Sequence, residues 1–192
     1  MRIISGKYKG RRISPPKNLP VRPTTDMSKE ALFNVLRNHF SFDGLKVLDL
    51  FSGTGNISYE FASRGSDNIT CVDGDFGCVK FIKQTATEFD FNIAAVKSDV
   101  LKFIERCNAK YDIIFADPPY AFEQKIFDKI VIDIFDRNLL EEEGMMIIEH
   151  SKYTKLDHLT HFSFKKSYGG SIFSFFEITS NREETVKDNS GE

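Results

Sequence analysis

The sequence predicts an α/β protein: a doubly wound, mostly parallel, seven-stranded sheet completed by a C-terminal antiparallel hairpin. Three observations lead there. Short apolar runs alternate with helical patterns from residue 46 onward, as successive βα units require. Several of these runs are apolar at almost every position, the pattern of strands covered on both faces. Near the end, Gly169-Gly170 separates two further strand-like runs, which is a hairpin signal. At 192 residues, with 41% hydrophobic and 28% charged side chains, the chain is long enough to bury a core without disulfides and is neither disordered nor fibrous in composition.

Each element follows in order. Residues 1–13 alternate weakly, with Gly6 and Gly10 as turn points, and a breaker cluster with three prolines follows at 14–20; residues 1–22 are read as a basic hairpin and linker. A helix starts at Thr25 or Asp26, either of which can cap it, and Ala31, Leu32, Val35 and Leu36 share one face. Strands are predicted at 47–51, 68–72, 93–96, 111–116 and 145–148, with helices near 56–64, 75–89, 99–107 and 123–136. In the last helix Ile126, Ile130 and Ile134 stand beside Phe127, Val131 and Phe135, an apolar stripe wide enough to cover a sheet. The hairpin is placed at 161–168 and 171–179, so that residues 23–180 make one domain and 181–192 a polar tail.

Charge is unevenly spread. The net charge of -2 is the difference between +7 over residues 1–40 and -9 over the remainder. Arg2, Lys7, Lys9, Arg11, Arg12 and Arg22 suit a polyanion, because each phosphate contact releases counterions; a solvated surface strand is the plain alternative. These residues precede the sheet, so deleting 1–13 is expected to spare the fold. No apolar segment resembles a leader or a membrane span, and Cys71, Cys78 and Cys107 are odd in number without CxxC spacing. A cytoplasmic protein is expected. His158 and His161, at i, i+3, are read as lacking a carboxylate partner, and His39 and His150 are isolated, so no metal site is expected.

The chemistry-bearing residues fall at predicted strand ends. Asp49, Phe51, Gly53 and Gly55 lie where the first strand turns into a helix; glycines there let the backbone approach a ligand. Ser58 stands where a dinucleotide fingerprint wants its third glycine, and Asp49 would repel a pyrophosphate but suits an ammonium group. Asp73, after the second strand and 20 residues past Gly53, is placed to grip ribose hydroxyls. Asp99 and the Val100 N–H after the third strand suit an adenine edge, although Asp73 or Asp99 alone is more often a helix cap. After the fourth strand comes Asp117-Pro118-Pro119-Tyr120. Two prolines fix the backbone, so the Asp117 carboxylate and the Pro118 carbonyl can both accept from an exocyclic amine while Tyr120 stacks on its ring.

Taken together, these residues resemble the RsmD family of 16S rRNA guanine-N2 methyltransferases over about residues 2–179. The resemblance rests on Arg2-Ile3-Ile4-Ser5-Gly6, Gly10-Arg11, Arg22-Pro23-Thr24-Thr25-Asp26, Glu30 and Leu32-Phe33-Asn34, besides the glycine loop and Asp-Pro-Pro-Tyr. Ser5 departs mildly from an expected second glycine. The resemblance implies a Rossmann-like class I fold and S-adenosylmethionine held by Asp49, Gly53, Gly55, Asp73 and Asp99, with Thr24 and Thr25 near its methionyl end. It also implies Asp117 to Tyr120 at the target amine, with guanine 966 of 16S rRNA in the small ribosomal subunit as substrate and the enzyme acting as a monomer without metal. A DNA adenine or cytosine amino-methyltransferase shares Asp-Pro-Pro-Tyr, but the chain leaves no room for a target-recognition domain. A non-catalytic RNA-binding module is the reading from another class.

Overall fold

The computed structural model describes residues 1–17, 19 and 25–178. Its elements are α1 (Asp26–Leu36), β1 (Lys46–Leu50), α2 (Asn56–Arg64), β2 (Asn68–Asp73), α3 (Phe76–Glu88), β3 (Ile93–Lys97), α4 (Val100–Arg106), β4 (Tyr111–Ala116), α5 (Gln124–Asp136), β5 (Leu140–His150), β6 (Phe162–Tyr168) and β7 (Ser171–Glu177). One sheet of order β3-β2-β1-β4-β5-β7-β6 contains all seven strands. The first five run parallel, and the β6–β7 hairpin adds two antiparallel strands beside β5. From β1 the chain winds outward to β3, then returns to place β4 on the other flank of β1. The sheet therefore has its switch point between β1 and β4, where open α/β sheets leave a crevice at their carboxyl ends.

Strand alternation divides the core into two layers. Val47, Ile69, Cys71, Ile113, Phe115, Met145 and Ile147 face α1, α2 and α3; Leu48, Leu50, Val72, Ile114, Met146 and Ile148 face α4 and α5. Phe127, Ile130, Val131 and Ile134 of α5 are buried in the second layer, at about 1.5–3 kcal/mol each for full burial. Ile126 and Phe135 flank that stripe as expected from the spacing.

Three expectations are corrected. The buried face of α1 is Ser28, Lys29, Leu32, Phe33 and Leu36, with Ala31 and Val35 at its margin; a buried lysine moves the face by part of a turn. The fifth strand is eleven residues long, because Glu141, Glu142 and Glu143 ride in an irregularity where pairing with β4 jumps from Tyr111–Leu140 to Ile113–Met145. The N-terminal segment is not a detachable arm. Its strands meet in a bridge between Arg2 and Arg12, and Ile3 and Ile13 lie in the main core. Gly6 sits at φ +81° against the backbone of Ser63, where no side chain fits. Residues 179–192, including the predicted tail, lie outside the described residues.

Candidate active site

The site begins with the two strands at the switch point. Asp49 of β1 shares the face of Val47 and is 1% exposed. Ser58 of α2 donates its hydroxyl to the Asp49 carboxylate at 2.6 Å, so the residue in place of a third glycine is the one that anchors the acid. Burial pushes the Asp49 carboxyl up to about 7, against the opposing effect of that hydrogen bond.

The chain then turns sharply: Phe51, Gly53 and Gly55 all have positive φ, at 58°, 52° and 81°. Gly55 precedes α2 in the left-handed region, and a Cβ there would meet the Tyr59 ring at 2.8 Å. Its contribution is to the backbone path, since the cavity is lined by its neighbours Gly53, Thr54 and Asn56 and not by Gly55 itself.

Asp73, the last residue of β2, accepts the Gly53 N–H and the Asp75 N–H, both at 2.8 Å, and ties the loop to the neighbouring strand end. Partial burial raises its carboxyl above the ordinary range, while the two backbone donors pull it back. Asp99 caps α4 by accepting the Lys102 N–H at 3.0 Å and also lines the cavity beside Val100, so the cap does not remove it from the cavity wall. On the other side of the switch point, the Asp117 N–H donates to the Leu50 carbonyl at 3.2 Å. This carries the pairing of β1 with β4 one residue past the strand and sets Asp117, Pro118 and Pro119 at the lip of the crevice.

One cavity of about 630 Å³ joins these groups, and Thr25, Asp49, Phe51, Gly53, Asp73, Asp99, Val100, Asp117, Pro118, Pro119 and Tyr120 all line it. Thr24 and Arg22 lie outside the described residues. Arg2, Lys7, Lys9, Arg11 and Arg12 are away from the cavity lining, and Arg2 Nε pairs with Asp26 at 3.1 Å at the start of α1.

Sequence reasoning misses several contributors. Glu149, 4% exposed at the end of β5, and Ser171 of the hairpin both line the cavity, and both bind the Tyr120 hydroxyl, at 3.3 and 2.9 Å. The Glu149-His150 pair ending an apolar strand is the available signal. In the sequence Lys29 is one more charge of a basic segment; in the fold its Nζ is buried, donates to Asn56 Oδ1 at 2.8 Å and to the Arg2 carbonyl at 2.6 Å, and lies 3.5 Å from Glu60. His158 does have a carboxylate partner, Asp128 of α5 at 3.7 Å, which chain folding and not sequence proximity provides.

The acceptor-rich lining fits a cofactor bearing an ammonium, a ribose diol and an adenine amine better than it fits a pyrophosphate. Comparison with known proteins agrees. Residues 1–177 match the family described as Conserved hypothetical protein 95. The chain belongs to this family, the RsmD family. Ribosomal RNA small subunit methyltransferase D of Escherichia coli is an RsmD relative 30% identical over 150 residues, covering 78% of this chain and 74% of that protein. A hypothetical protein of Thermus thermophilus of known structure superposes with a TM-score of 0.80 at 24% identity, over 93% of this chain and 99% of its own. The 16S rRNA N2 G1207 methyltransferase RsmC of Thermus thermophilus, solved with AdoMet and guanosine, gives 0.65 at 19% identity over 83% of this chain and 45% of its own, a likeness of fold. The RsmD-family fold seen here is thus that of class I S-adenosylmethionine-dependent methyltransferases.

Proposed function

We propose that this protein transfers a methyl group from S-adenosylmethionine to the exocyclic N2 of a guanine in 16S rRNA, guanine 966 in the small ribosomal subunit by family resemblance. The observation that carries the reading is that Asp117-Pro118-Pro119-Tyr120 and the acids at the ends of β1, β2 and β3 open into one cavity. The relatives named for methylation of small-subunit rRNA support the substrate class. A cytoplasmic monomer acting without metal completes the proposal; no helix among the described residues is long and apolar enough to cross a membrane.

The cofactor's residues are Asp49 for the ammonium, Asp73 for the ribose, Asp99 and Val100 for the adenine, and Thr25 near the methionyl end. When bound, S-adenosylmethionine supplies a methyl group activated by its positively charged sulfur. The protein's share of the chemistry is to make a poor nucleophile better. A guanine amine is conjugated with its ring; the Asp117 carboxylate and the Pro118 carbonyl accept hydrogen bonds from its two N–H groups, which favours a pyramidal nitrogen with its lone pair free. Asp117 would take up the proton released as the new N–C bond forms and the methyl–sulfur bond breaks, the electron pair staying on a neutral thioether. Tyr120, held by Ser171 and Glu149, offers its ring to the base, which must leave any stack to reach the cavity.

The test is transfer of tritiated methyl groups to small subunits from cells lacking this enzyme, followed by nucleoside analysis. N2-methylguanosine is expected. A different methylated nucleoside, or label only in DNA, would overturn the assignment.

A further inference from the structure

A second cavity, an open groove of about 610 Å³, lies between α1 and β6, and its chemistry differs from that of the main cavity. Asn34 projects from the helix, Asn38 and His39 follow just past its end, and Phe164, Lys166 and Tyr168 project from alternate positions of the strand. The His39 ring lies nearly parallel to Phe164, with centroids 6.4 Å apart. Among the described residues no carboxylate lines the groove, whereas the main cavity is rich in them.

The two cavities follow the same pair of elements. Ser28 of α1 and Gly169 of the hairpin turn line the main one; Asn34, further along α1, and Tyr168, next to Gly169, line the groove. Asn34 lies about 9 Å along the helix axis from Ser28. A strand with one base turned into the main cavity runs on from its rim, and the groove continues along the same two elements. The groove holds what such nucleotides need: the exposed His39 ring and the partly exposed Tyr168 for stacking, amides with both donor and acceptor for base edges, and a cation with no acid beside it in the groove lining.

We propose that this groove seats the nucleotides adjoining the target guanosine, in a single-stranded stretch of the RNA substrate. The proposal rests on the reading of the chain as an rRNA methyltransferase. It also gives a task to Asn34, part of the family-like opening that the methyl-transfer site does not use.

The test is a double substitution, Asn34→Ala with Lys166→Ala, in the full-length protein, assayed on unmethylated small subunits, with binding to naked 16S rRNA and to S-adenosylhomocysteine measured in parallel. The expected result is a KM for subunits raised roughly tenfold, weaker binding to naked rRNA, and unchanged kcat and S-adenosylhomocysteine affinity. The slope of log affinity for naked rRNA against log salt should flatten by about 0.7 once the Lys166 charge is gone, and Lys166→Arg should restore it. Unchanged KM and slope would overturn the proposal. So would an effect on subunits without one on naked rRNA, which assigns the groove to a ribosomal protein; should the double variant lose S-adenosylhomocysteine affinity, Lys166→Ala alone decides the matter by the same KM and salt slope. Absence of transfer by the unsubstituted protein would instead overturn the functional reading itself.

Discussion

Asp49 makes the most specific demand on experiment. Its carboxyl is raised from 3.8 to about 7, whereas in an unfolded chain it ionises near 3.8. Between those values the folded state keeps a proton that the unfolded state has lost, so this group's contribution to stability falls as pH rises from about 4 to 7 and is level above. An ammonium beside Asp49 favours the ionised form. S-adenosylhomocysteine affinity should therefore rise with pH up to about 7 and then level, with proton release visible as a buffer-dependent heat in calorimetry. Asp49→Asn should bind more weakly and lose that dependence; a wild-type affinity flat from about pH 5.5 to 7.5 would remove Asp49 from the ammonium. Asp117 acts differently, since its proposed partners form fully only as the amine reacts. Asp117→Ala should lower turnover by about two to three orders of magnitude with little change in S-adenosylhomocysteine affinity, and a parallel fall in both would make the residue structural.

At the scale of elements, the joint between the N-terminal segment, α1 and α2 is a buried polar network centred on Glu60. Its carboxylate accepts the Ile4 and Ser5 N–H groups at 2.8 and 3.0 Å, binds Arg64 at 2.8 Å and faces Lys29. Burial pushes the Lys29 ammonium below its ordinary range even with Glu60 opposite, so removing the acid leaves a buried cation and two orphaned backbone donors. Glu60→Ala should cost about 3–5 kcal/mol, read as a shifted midpoint in urea unfolding. The same network reaches the site, because Lys29 holds Asn56, the first residue of α2 and part of the cavity wall. A Glu60→Ala protein as stable as the wild type would show that the joint is held by apolar packing alone.

Over the whole molecule, the basic N-terminal surface and the core cannot be separated by truncation. Ile3 and Ile13 pack among the residues of α1 and α2, so a 1–13 deletion would disturb the fold and confound any RNA-binding measurement. Charge must be removed in place. Converting Lys7, Lys9, Arg11 and Arg12 to Gln keeps the buried residues and should flatten the salt dependence of rRNA binding by about 0.7 for every phosphate these side chains neutralise, with cofactor affinity intact. An unchanged slope would leave those charges as a solvated face and place the RNA surface at the rim around Tyr120. The strands and helices of this molecule were legible in the sequence because apolar periodicity and glycine placement are local signals, and strand ends carry the acids of α/β sites. Asp49, Asp73, Asp99 and Asp117 could be named as site candidates for that reason. The sequence by itself also determined the excess of positive charge at one end. Only the tertiary structure decided that Glu149 and Ser171 meet Tyr120, that Ser58 anchors Asp49, that Lys29 is buried, and that the N-terminal segment belongs to the core. Each depends on which segments become neighbours when the sheet closes, and the pairing of β7 with β5 or of α1 with α2 leaves no periodic trace in the residues that meet.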